Sequence, residues 1–155
     1  MLKFRRLQMD DRPTWDEYFM EMATVAAKRS TCLRRAVGAV IVKDNHIIST
    51  GYNGSPKDTP HCKLTGCIRQ INNIPSGERH EFCRGSHAEI NAIAQAALVG
   101  TSTNGATLYC THQPCAFCAK AIINAGIRKI VYANPYPDEI GSSLLREAGL
   151  VIKEL

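Results

Sequence analysis

His87 and Glu89 stand two residues apart, and Pro114, Cys115 and Cys118 follow downstream. Together these residues offer three good zinc donors and one carboxylate that need not be a ligand. Cys115 and Cys118 lie one turn apart on a helix that begins after Pro114. Both sulfurs can therefore face one point near the positive helix end, where thiolates are favoured. His87 closes the third corner. Three protein ligands leave the fourth tetrahedral position to water, whose pKa zinc lowers to about 7. A site left open in this way implies catalysis. Glu89, one step inside a helix that starts at His87, is placed to carry protons from an attacking water to a substrate and on to its leaving group. A structural zinc would instead require a fourth ligand and would give the carboxylate no task.

The elements that must position these groups can be read from the pattern. Residues 14–30 follow Pro13, carry Thr14 and Glu17 at capping-box spacing, and put Trp15, Tyr18, Phe19, Met22 and Ala26 on one face of an amphipathic helix. Residues 36–43 and 46–52 are rich in Val and Ile and flank Asp44 and Asn45, which predicts a β-hairpin. Residues 53–86 hold Pro56, Pro60 and Pro75 among several glycines, with little periodicity, and read as a long loop. A loop of that length needs something to order it, and this one carries His61, Cys62, Cys67, His80 and Cys83, so a metal is a candidate. From residue 87 onward, helices (87–98, 115–124, 138–148) alternate with strands (106–111, 129–133, 150–153). Single strands alternating with helices imply crossovers, and so a largely parallel sheet behind the hairpin with helices on both faces.

Composition narrows the class. The chain has 155 residues, which suits one domain with a real core, and no run approaches the length of a membrane span. Residues 1–12 carry Arg5, Arg6, Asp10, Asp11 and Arg12 with no apolar core, so a signal peptide is not expected there. The seven cysteines then read as metal ligands, catalytic groups or buried thiols of a reducing compartment, and a cytoplasmic location is expected. A net charge of +5 suits an anionic ligand but falls short of a nucleic-acid scaffold.

The order His-x-Glu then Pro-Cys-x-x-Cys is the signature of zinc-dependent nucleobase deaminases. Three segments, HAEINAI (87–93), GYNGSP (51–56) and THQPCAFCAK (111–120), with residues 124–127, resemble the deoxycytidylate (dCMP) deaminase family across nearly the whole chain. The resemblance implies a cytidine deaminase-like, three-layer α/β/α sandwich, with a mixed sheet and an N-terminal β-hairpin. The chain would be a single domain over 1–155, with 53–86 a zinc-bearing insertion. It also implies hydrolysis of dCMP to dUMP and ammonia, supplying dUMP for dTTP synthesis, by a cytoplasmic homohexamer that dCTP activates and dTTP inhibits, Mg2+ accompanying the triphosphates. Residue by residue, His87, Cys115 and Cys118 match the catalytic zinc ligands and Glu89 the proton shuttle. Ala88 and Asn53 match positions that hold the pyrimidine and orient its sugar. Tyr136 matches an aromatic residue packed on the base, with Tyr132 its rival, and Asn91 lies near enough for the pocket, with a capping or packing role as its alternative.

Cys32, Cys62, Cys67 and Cys83 remain once the catalytic pair and Cys110, a strand-core thiol, are set aside. Four thiols suggest a structural zinc. Several members of the family carry one, and Cys32 and Cys62 match ligand positions there, while His61 or His80 could replace one thiol. The zinc motif fixes a reaction type, since tRNA adenosine, guanine, cytidine and riboflavin-pathway deaminases share it. The GYNGSP loop and its insertion favour the nucleotide enzyme, with no nucleic acid or membrane as partner. A zinc-stabilised nucleic-acid module is the rival of another class. Glu89 argues against it, as does an aromatic content of only 6%, which leaves few stacking platforms.

Overall fold

The computed structural model describes residues 11–155, so most of the segment judged for a signal peptide lies outside the described residues. Helix α1 (Trp15–Ala27) starts as its sequence dictates. The Thr14 hydroxyl accepts from the Glu17 amide at 3.3 Å, and the Glu17 carboxylate accepts from the Thr14 amide at 2.6 Å. The face it buries is not the expected one. Phe19, Met20, Ala23 and Ala27 point inward, whereas Trp15 is 57% exposed and stacks outside on Phe19. The cause is close packing: a Cβ on Gly38 would lie 2.0 Å from the Ala23 carbonyl oxygen. Helix and strand backbones touch there, and only the small residues fit between them.

The hairpin forms as expected from β1 (Gly38–Lys43) and β2 (His46–Tyr52). Asp44 and Asn45 both adopt positive φ, as a two-residue turn matched to strand twist requires. The remaining strands are β3 (Thr107–His112), β4 (Lys129–Asn134) and β5 (Val151–Glu154), in the order β2-β1-β3-β4-β5. Strand β1 is antiparallel to both neighbours, while β3, β4 and β5 are parallel. The largely parallel sheet expected behind the hairpin is thus confined to those three strands. Since β1 opposes both neighbours, β2 also runs with β3, and four strands end at one edge.

Alternation along the strands builds two cores. Ala39, Ile41, Leu108, Cys110 and Ile130 face α4 (Ala88–Leu98), α5 (Ala116–Asn124) and α6 (Glu139–Glu147). Val40, Val42, Tyr109 and Val131 face α1. Both faces of the sheet are covered, giving the three-layer α/β/α sandwich with its mixed sheet. Among the described residues no helix is long and apolar enough to cross a membrane. The stretch 53–86 contains more structure than a loop: α2 (Cys62–Thr65), α3 (Ile68–Ile71) and a 3-10 turn (His80–Phe82). Its ends are clamped where Gly54 and Ser86 exchange both backbone hydrogen bonds, at 3.1 and 2.8 Å.

Asp16, in the first turn of α1, ties that helix to three strands. Its carboxylate accepts from the Tyr109 hydroxyl at 2.8 Å and pairs with Lys129 at 3.3 Å and Lys153 at 2.6 Å. Burial pushes this carboxyl up, but hydrogen bonds from Lys153, Tyr109 and Lys129 outweigh it and hold the pKa at about 2. A carboxyl lowered on folding adds stability that is fully present above its unfolded pKa and lost as pH falls towards the folded value. Asp16→Asn should therefore cost about 1–3 kcal/mol at pH 7. In urea titrations the gap from the wild type should close between about pH 4 and pH 2. A gap independent of pH would remove the ionic contribution.

Candidate active site

The carboxyl ends of β2, β3 and β4, together with the entry to β1, surround one cavity of about 140 Å³. Ligand sites of open α/β sheets form at such an edge. His87 is the N-cap residue of α4 and Cys115 that of α5, both in extended backbone, with Cys118 in the first turn of α5. Helix α4 reaches this edge because β2 carries Gly51 where they meet: a Cβ there would lie 2.2 Å from the Ala88 carbonyl oxygen.

The His87 Nδ1 lies 3.5 Å from the Cys115 sulfur and 3.3 Å from that of Cys118, and all three donor atoms fall within 4.8 Å of one another. Tetrahedral zinc with ordinary bond lengths separates nitrogen and sulfur donors by roughly 3.5 Å, so the residues fit the metal. No other group of three or more donors meets this criterion among the described residues. A hydrogen bond from Cys118 and then one from His87 bring the Cys115 thiol down to about 4 against the opposing effect of burial. The Cys118 thiol, as the partner that keeps its proton, is pushed up. His87 is raised, first by its bond with Cys115. These groups form one proton-sharing cluster, from which a metal would displace the protons.

Glu89 is 5% exposed, lines the cavity, and has its pKa raised by burial. Ala88 is fully buried in the same wall. Tyr136 also lines the cavity, its amide donating to Gln113 Oε1 at 3.3 Å, whereas its rival Tyr132 lies in β4 and packs on the core. Asn53 stands in the wall with most of its amide committed. Oδ1 accepts from Ser30 at 2.6 Å and from the Val37 amide at 2.9 Å, and Nδ2 donates to the Arg35 carbonyl at 2.8 Å. Asn91 is not brought to the cavity. It donates to the carbonyls of Tyr52 and Ser86, which fastens α4 to the end of β2.

Cys32, Cys62, Cys67 and Cys83 are free thiols that all line this cavity. The Cys62 thiol is pushed up by burial and then, against a hydrogen bond with Ser55, by the nearby Cys67, Cys83 and Cys32. The four are neighbours but are not drawn to ligand distance in the way of the triad. Of the two histidines weighed beside them, His61 is exposed, and the His80 ring packs 5.4 Å from that of His87. Cys110 is wholly buried in the core, as expected.

Asp138 is a residue that sequence reasoning passes over. One carboxylate oxygen caps its own helix by accepting from Gly141 at 2.7 Å, and the other accepts from the Ala116 amide of α5 at 2.9 Å. One side chain thus fixes the start of the helix that bears both cysteines. Its place as N-cap of α6 is visible in the sequence, but its reach to α5 is not.

Residues 13–134 match the family described as the cytidine and deoxycytidylate deaminase zinc-binding region. The chain belongs to this family. A deoxycytidylate deaminase of Schizosaccharomyces pombe is 42% identical over 144 residues, 92% of this chain and 44% of that protein. The chain thus spans less than half of this relative, and 45% of its counterpart from Saccharomyces cerevisiae. A deoxycytidylate deaminase of Mycobacterium phage D29 is 42% identical over 126 residues, covering 78% of this chain and 95% of the phage protein. Among solved structures, the dCMP deaminase of cyanophage S-TIM5 in complex with dCMP and dUMP superposes with a TM-score of 0.76 at 30% identity, covering 94% of this chain and all of that one. These matches agree with the fold and the triad described above.

Because Asp138 fixes the start of α5, Asp138→Ala should cost about 1–2 kcal/mol of stability and release zinc to a chelator faster than the wild type. Asp138→Asn should retain most of both properties. Thermal melts and a colorimetric zinc-release assay check this, and equal release rates would divorce the cap from the metal site.

Proposed function

We propose that the chain is a zinc-dependent deaminase that hydrolyses dCMP to dUMP and ammonia and so supplies dUMP for dTTP synthesis. The observation that carries this reading is a buried carboxylate, Glu89, beside an open three-donor metal site. The named substrates of the phage relatives support dCMP as the nucleotide. His87, Cys115 and Cys118 would hold the zinc, which when bound supplies the Lewis acidity that makes a water nucleophilic near neutral pH.

The rest is the work of this chain's own side chains. Glu89 accepts a proton as water oxygen bonds to C4 of the pyrimidine and delivers it to the adjacent ring nitrogen N3. It then carries the remaining hydroxyl proton to the amino group, the C4–N bond breaks, and ammonia leaves. Burial serves this cycle because a carboxyl with a raised pKa gives up its proton less readily to solvent and is a stronger base towards water. Ala88 and Tyr136 flank the base. Asn53 keeps one N–H for the sugar after its three bonds to the protein. Asn91 positions α4, its side-chain amide donating to the Tyr52 and Ser86 carbonyls.

A second zinc on Cys32, Cys62, Cys67 and Cys83 completes this reading. Four free thiols on one wall, three of them in an insertion with little core of its own, are what such a metal would draw together. The chain acts as one deaminase domain over residues 1–155, in a cytoplasmic homohexamer whose response to dCTP and dTTP involves Mg2+. The seven free thiols accord with that compartment.

Glu89→Gln should lower kcat by about 10²–10⁴-fold while zinc content and melting temperature stay at wild-type values. Retained turnover would sink the proposed proton shuttle. Metal analysis should find two zinc ions per chain in the wild type and one in Cys67→Ser. One ion in both proteins would dispose of the second site.

A further inference from the structure

Arg69, on the single-turn helix α3 of the insertion, is 7% exposed and lines the same cavity as His87, Glu89 and Tyr136. One terminal nitrogen donates to the Pro75 carbonyl at 3.1 Å, and Nε is buried with no partner. Among the described residues no carboxylate pairs with this guanidinium. A buried cation with an idle donor and no counter-charge is strongly unfavourable unless an anion completes it.

The position of this charge narrows the choice of anion. The guanidinium shares the cavity wall with His87 and Cys115 but is not one of the three metal donors. Its planar fork suits the oxygens of a phosphate, which it can bind in bidentate fashion. A ligand whose reacting end lies at His87, Cys115 and Cys118 and whose anionic end meets Arg69 carries its charge on the side away from the reacting atom, and in a nucleotide that group is the phosphate.

We infer that Arg69 binds the phosphate of a nucleotide whose base sits at the metal triad, and that it sets the preference for nucleotide over nucleoside. This rests on the deaminase reading. The rival use of the same charge is to neutralise a four-thiolate metal site, since Arg69 lies two residues after Cys67. The test must separate the two.

Calorimetric titration of the zinc-loaded protein with dUMP and with deoxyuridine reads the phosphate contribution without turnover. The wild type should prefer dUMP by about tenfold or more, and Arg69→Gln should weaken dUMP by about 10–100-fold, bringing the ratio towards one. Arg69→Lys, which keeps the charge and guards against a fold defect in the first variant, should retain part of the preference. An unchanged ratio in Arg69→Gln, or loss of one zinc ion per chain from that variant, would overturn the inference. If dUMP binds in this Arg69-dependent way but dCMP yields no ammonia, the phosphate site stands and the deaminase reading falls. If dCMP yields ammonia but the ratio does not depend on Arg69, the deaminase reading stands and the phosphate site falls.

Discussion

The structure turns on bringing two helix N-termini to one point. Zinc tolerates only a few tenths of an ångström in its donor distances, so His87 at the start of α4 and Cys115 and Cys118 at the start of α5 must be fixed more tightly than a loop would hold them. The fold meets this demand with backbone. Gly51 lets α4 press against β2, Asn91 fastens that helix to the strand end, and Asp138 caps α5 and α6 at once. Strand β1, antiparallel to both neighbours, allows β2 and β3 to run in the same direction and leave their following segments at the same edge.

Electrostatics explains why this edge is a place for chemistry rather than a stable core. It gathers a buried carboxylate, several thiols, imidazoles and the guanidinium groups of Arg34, Arg35 and Arg69, of which only the last is buried, around one small cavity. Such a set is costly to desolvate, and the natural remedy is cations for the thiols and an anion for the arginine. A zinc ion at the triad and a nucleotide phosphate near Arg69 answer both needs. On this view the insertion between β2 and α4 is part of the site: its residues Cys62, Cys67 and Arg69 belong to the same cavity wall as the triad.

Much of this is legible in the sequence, for identifiable reasons. The triad and Glu89 can be read because metal chemistry restricts residue type and spacing together, and the hairpin because Asp44-Asn45 allows few other backbone paths. The buried face of α1 is misread because large aromatics dominate the pattern, whereas close approach to Gly38 is decided by Ala23 and Ala27. Spacing puts Cys62, Cys67 and Cys83 in one insertion and the family resemblance adds Cys32, but neither gives their separations, which depend on how the insertion folds. Arg69 and Asp138 escape notice for a related cause. A lone arginine or aspartate is ordinary until burial or a distant partner marks it out.

The decisive measurement is ammonia release from dCMP by the zinc-loaded protein, beside CMP, dCTP, deoxycytidine and an adenosine-containing tRNA hairpin, before and after chelation. The triad and its buried carboxylate predict that dCMP is deaminated to dUMP, that chelation abolishes this, and that added zinc restores it. Silence on every substrate with zinc bound would contradict a catalytic role and leave the metal a purely structural one.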